Sequence, residues 1–202
     1  MKLDIANAVT LYAPAAVSMV MLAWAGWHYI KGTLTVGTLK KLLWFFAAFL
    51  VVLAAAKIIV QYYAYKTDPF GKLFLPPYQS LDWFTYSMWK NHIAPVLFAA
   101  IAGILTYGAA RGANRFFKRE LFVEYDTYIL LLAALIVSWP NYVVYCGIVA
   151  LLTVLILVWK GVKQKNFSDP VVITGALLAG IPLALLLGNA ATSYFVLWKL
   201  TI

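Results

Sequence analysis

Lys57 and Gln61 stand one helical turn apart inside a long apolar run, and Lys57 is the one charge well within such a run. A charge at that depth in a bilayer is costly and by default marks a site, so Lys57, Gln61 and Asn189 of the last apolar run are candidate pore or site lining. The competing reading is that Lys57, about two turns from the end of its run, snorkels its ammonium to the surface along its apolar stem. Glu124 and Asp126 stand at i and i+2 where another apolar run begins. On a helix that spacing points them to different sides, so they make no ready acid/base pair, and a helix dipole favours them as N-terminal caps. Arg111, Arg115 and Arg119 are the chain's only arginines. Their spacing of four, joined by Lys118, makes a stripe that could grip lipid phosphates or an acidic partner, or could be plain cytoplasmic anchoring.

Other reactive chemistry is sparse. No Asp or Glu falls in the middle third of any apolar run, where a proton relay or a carboxylate dyad would need one. His28 and His92 lie near opposite ends of their runs, about a membrane thickness apart, too far for one haem to bridge. The single cysteine, Cys146, reads as a small packing residue. The expectation is no catalytic residue, no cofactor and no metal.

The elements that carry these residues follow from composition. Apolar residues make up 64% of the 202 and charged residues 11%, against roughly half and a quarter in a soluble domain, so this is a chain built for lipid. The formal charge of +9 is held mostly in the connections between apolar runs, as topology signals are, so no nucleic-acid partner is expected. The fold class expected is an all-α, multi-pass membrane protein in one domain, 1–202. Six spans fit the roughly 20 residues that cross hydrocarbon: about 8–30, 42–64, 93–110, 122–139, 142–159 and 171–194. Lys2 and Asp4 lead into the first without a small-residue cleavage site, so it reads as a resident span. The fourth and fifth are short and meet at Trp139-Pro140-Asn141, as two full spans or a re-entrant pair.

Lys31, Lys40 and Lys41, then Arg111, Arg115, Lys118 and Arg119, then Lys160, Lys163 and Lys165 fall in alternate connections. By the positive-inside rule those connections are cytoplasmic, both termini are outside, and the long segment 65–92 is outside as well, in a cytoplasmic (inner) membrane. That segment opens with a turn, Asp68-Pro69-Phe70-Gly71, is broken by Pro76-Pro77, and restarts as a short helix with Ser80 as N-cap. Its aromatic residues suit the headgroup layer, as a helix lying on the outer leaflet or as a docking surface built from Trp83, Phe84, Met88 and Trp89.

Ala176, Gly180, Ala184, Gly188 and Thr192 recur every four residues, a ridge that lets another helix approach closely; Gly108 and Gly112 form a second such site. Pro182 implies a kink in the last span. The lack of reactive groups, the small-residue ridges and the aromatic outer surface point to a non-catalytic accessory or scaffolding subunit. Its partners would be the lipid bilayer and other membrane subunits. The alternative is a small-solute transporter or channel lined by Lys57, Gln61 and Asn189.

The layout also resembles the prepilin peptidase family of six-span aspartyl proteases. The resemblance covers about half the chain: a basic loop before Glu124-Tyr125-Asp126, the short hairpin at Trp139-Pro140, and Asp169-Pro170 with Gly175-Ala176 opening the last span. The family's Gly-x-Gly-Asp motif reads Val123-Glu124-Tyr125-Asp126 here, and His28 stands nearest the place of the missing partner aspartate. One carboxylate cannot do two-carboxylate chemistry, so the resemblance implies an inactive relative.

Overall fold

In the computed structural model, residues 2–118, 121–164 and 173–194 are described, with side chains from residue 8 onward except those of 11 and 164. The α-helices run in the order α1 (Lys2–Ile30), α2 (Val36–Thr67), α3 (Leu81–Met88), α4 (Ala94–Phe117), α5 (Glu124–Val137), α6 (Asn141–Gln164) and α7 (Thr174–Tyr194). No strand occurs among the described residues. Five helical stretches are long and apolar enough to cross a bilayer: Ala8–Ile30, Val36–Thr67, Leu81–Phe117, Asn141–Lys163 and Thr174–Tyr194. The chain is an all-helical membrane protein, the architecture that satisfies every backbone N–H and C=O inside its own segment.

The fourth expected span, left open between a full span and one arm of a re-entrant pair, is the exception. A helix forms there, but α5 has 14 residues. At 1.5 Å per residue that is about 21 Å, short of the roughly 30 Å of hydrocarbon. Ser138, at φ 64°, ends it just before Trp139-Pro140. Ile129, Leu132, Ala133 and Ala134 of α5 are completely enclosed. A helix apolar on nearly every side must be covered, and here protein covers most of it.

α4 runs antiparallel beside α5. An added Cβ at Gly103 would sit 2.8 Å from the Ala134 side chain, and the Tyr107 and Tyr128 rings meet edge to face at 5.7 Å. α2 and α7 flank α5 in the parallel sense, with Lys40 over the Tyr128 ring and Thr174 bonded to Asp126. α6 lies antiparallel on α7, its Asn141 donating to Asn189 at 3.1 Å. Counting the short α5, the helices α1, α2, α4, α5, α6 and α7 therefore alternate in direction, and α1 begins at the end of the bundle where α7 finishes. Lys31, Lys40, Lys41, Arg111, Arg115, Lys118, Lys160 and Lys163 gather at the opposite end. Arg119 and Lys165 of the expected basic loops lie outside the described residues, as do 171–172 of the last expected span and the Asp169-Pro170 pair.

The short helix after Ser80 forms as expected, and Ser80 occupies the N-cap position without making the capping hydrogen bond. It is not a separate interfacial helix, however. A π-helical turn, Trp89–Ile93, joins α3 to α4, so that Leu81–Phe117 is one helical run of 37 residues. Pro95 accounts for the π turn. It has no N–H to give the Asn91 carbonyl and its ring crowds that carbonyl, so the preceding turn widens and Ala94 N–H bonds back to Trp89. Before α3, Gly71 N–H donates to Asp68 Oδ2 at 2.6 Å in the expected turn, and a 3₁₀ turn, Gly71–Phe74, folds back on the end of α2. Leu75, Phe84 and Met88 close a second small core there against Ile58 and Tyr65.

Candidate functional site

Three prolines sit inside or at the start of long helices: Pro14 in α1, Pro95 in α4 and Pro182 in α7. Each withholds an N–H from the turn before it and bends its helix away from ideal packing. All three line one cavity of about 590 Å³. Its floor is the C-terminal end of the short α5, contributed by Leu135, Ile136 and Ser138. The shortfall of α5 and the three prolines together explain why a space exists at this level of the bundle.

Lys57 of α2 points into that cavity, where Asn91 and His92 of the π turn also stand. Among the described residues, no hydrogen bond or ion pair holds the Lys57 ammonium, and no Asp or Glu lines the cavity. The carbonyl end of α5 beside it attracts a cation, but a helix terminus is worth about half a negative charge, which leaves the cavity positive. His92 is held by its neighbour: its Nε2 lies 2.8 Å from Gln61 Oε1, and Gln61 Nε2 donates to the Tyr65 hydroxyl at 3.1 Å. With the Gln61 amide nitrogen committed to Tyr65, its oxygen accepts from His92 Nε2–H. Asn91 and His92 are both residues of the π turn itself.

Of the expected lining, Lys57 borders the cavity, and Gln61 stands one bond behind it through His92. Asn189 does not; it is bonded to Asn141 where α6 starts. Sequence reasoning passed over Ser18, Asn91 and Ser138, and considered His92 only as a haem ligand. The signal for Asn91 and His92 was Pro95 four residues beyond Asn91, which marks a distorted turn in an otherwise apolar helix.

The other candidate groups fall apart from one another. Asp126 is buried and fully engaged: Oδ2 accepts from Val123 N–H at 3.0 Å and Oδ1 from the Thr174 hydroxyl at 2.6 Å. Glu124 lies at the surface 3.7 Å from Arg111, whose guanidinium also covers the Tyr107 ring at 4.8 Å. An ion pair this exposed contributes little. Arg115 and Lys118 are exposed, and α4 ends on Lys118 at φ 50°. His28 stands at the opposite end of the bundle from His92, with Nδ1 2.7 Å from the Thr33 hydroxyl.

The ridge on α7 is occupied within the chain. Ala176 and Ala184 are buried, an added Cβ at Gly180 would come within 2.7 Å of Val149, and one at Gly188 within 2.9 Å of Asn141. Gly108 and Gly112 are different, with nothing within 4 Å of an added Cβ. Of the aromatic surface expected to dock a partner, Phe84 and Met88 point inward, Trp83 stacks on Phe74 at 4.9 Å, and Trp89 remains exposed. α2 runs on to Thr67, and its aromatic last turns draw that face of α3 inward. No family model, curated protein or solved structure matches this chain.

Proposed function

We propose that the chain is a membrane-embedded binding protein for an anionic solute, the transporter-like alternative of the sequence reading, with Lys57 as the charge that recognises the ligand. One observation supports it above the rest: a lysine without a counter-charge among the described residues, in a cavity otherwise bordered by apolar walls, Ser18, Asn91, His92 and Ser138. Snorkelling accounts less well for a lysine whose side chain borders the cavity shared by α1, α2, α4 and α7. The test is binding of inorganic phosphate and acetate to the purified protein in nanodiscs, by titration calorimetry. Lys57→Met keeps the volume of the side chain and removes its charge. A charge-assisted hydrogen bond is worth about 1.5–3 kcal/mol, so affinity falls by roughly ten- to a hundredfold. Equal affinity in wild type and Lys57→Met would reject the reading.

A second reading, an accessory subunit of a larger membrane assembly, is supported by the open space at Gly108 and Gly112 on α4, beside the exposed Ile104 and Leu105. In either case the bundle end that gathers the lysines and arginines faces the cytoplasm of an inner membrane, and both termini face outside. A reporter fused after Ile202 that is active only on the cytoplasmic side would reverse that orientation.

A further inference from the structure

The Lys57 cavity is not closed toward the bilayer. It shares Met19, Leu22 and Pro182 with a second, apolar groove of about 450 Å³ that runs between α1 and α7 toward Tyr29 and Gly175. α1 packs on α2 but hardly touches α7, and an added Cβ at Gly26 in the groove would meet nothing within 4 Å. Met19, which lines both spaces, is 66% exposed, on a surface that a membrane protein turns to lipid. The Lys57 cavity and the apolar groove therefore adjoin each other, beside an exposed apolar surface.

We propose that the ligand is a single anionic lipid, admitted sideways between α1 and α7, with its headgroup at Lys57 and an acyl chain along the α1–α7 groove. This rests on the reading of the Lys57 cavity as an anion site and adds the source of the anion. Two features choose a lipid over the other occupants. From Met19 to Ile30 the groove follows about 16 Å of α1, at 1.5 Å per residue, between apolar side chains of α1 and α7. An extended acyl chain matches that length and that lining. A water-soluble anion would leave the groove without purpose, because only a ligand with an apolar tail touches both spaces.

The experiment uses the full chain, delipidated in detergent and read by native mass spectrometry. The probes are phosphatidylglycerol and phosphatidylcholine with identical acyl chains, and inorganic phosphate is titrated in parallel. Wild type is expected to retain one phosphatidylglycerol and to release phosphatidylcholine. Lys57→Met lowers phosphatidylglycerol retention about tenfold or more, through loss of the charged contact. Gly26→Trp fills the groove away from Lys57, lowers lipid retention to a similar degree and leaves phosphate affinity unchanged. Ala179→Trp, on the facing wall, repeats this on an exposed position that folding tolerates. Equal retention of the two lipids, or full retention by both tryptophan variants, overturns the proposal. Phosphate binding without lipid retention in wild type also overturns it while sparing the anion site. Failure to bind either probe overturns both.

Discussion

The Thr174 hydroxyl donates to Asp126 Oδ1 at 2.6 Å, joining the first turn of α7 to the first turn of α5 deep in the protein. The other carboxylate oxygen caps α5 by accepting from Val123 N–H. One side chain therefore fixes both the start of the central helix and its alignment with a neighbour. Unsatisfied buried partners cost about 1–3 kcal/mol each, so Asp126→Ala should lower unfolding stability by at least that much. Asp126→Asn should be milder, since its amide oxygen still accepts from Thr174. Thermal unfolding in detergent measures both, and an Asp126→Ala protein as stable as wild type would remove this pair from the account of the fold.

Gly180 and Gly108 look alike in the sequence, each part of a small-residue repeat. An added Cβ at Gly180 would lie 2.7 Å from Val149 and 3.2 Å from Tyr145, whereas Gly108 faces open space. Gly180→Leu should therefore destabilise the isolated chain, by about 1–3 kcal/mol for an overpacked contact. Gly108→Leu should leave the isolated chain unchanged and weaken only an association with other subunits. Comparing melting temperature with co-purification in mild detergent separates the two. A Gly108→Leu protein that still co-purifies in full would leave the accessory-subunit reading without its support.

Tyr142 reaches across the core to place its hydroxyl 2.7 Å from Thr106 of α4, with the Leu130 carbonyl at 3.4 Å. It stacks on Tyr145, whose hydroxyl donates to the Leu177 carbonyl of α7 at 3.2 Å. Tyr142→Phe should cost about 0.5–1.5 kcal/mol, and Thr106→Val should cost less once Tyr142 is already Phe. Simple additivity of the two changes would mean the hydroxyls do not interact.

Gly71 allows the 3₁₀ turn to lie directly on the backbone of α2, where an added Cβ would be 2.8 Å from Tyr65 Cα and 2.9 Å from its carbonyl oxygen. Backbone cannot rotate aside as a side chain can. Gly71→Ala should therefore loosen residues 70–88 while the bundle stays folded. Faster amide exchange confined to that segment is the expected result, and unchanged exchange would contradict the packing described.

Much of this architecture was legible in the sequence. The apolar runs, the turn at Asp68–Gly71, the break at Trp139-Pro140 and the grouping of basic residues are local signals of composition. What escaped reading depends on which helices are neighbours. Nothing in the apolar stretch after Glu124 says whether lipid or protein will cover it, since both are equally apolar. Leu81, Phe84 and Met88 share one side of a helix, but only the extension of α2 to Thr67 decides that Phe84 and Met88 are enclosed. Lys57 was visible as an outlier. Its cavity was not, because Pro14, Pro95 and Pro182 come from distant parts of the chain and a single sequence does not say that they converge.

The short central helix has a consequence for how the protein is made. A segment of 14 residues is too short to cross a bilayer by itself, so it cannot be handed to the membrane as an independent unit. α5 must wait beside α4 until α6 and α7 arrive to enclose it. A ribosome stalled before Thr174 would hold a nascent chain whose middle is still unsheltered, open to quality-control proteases until the last helix docks.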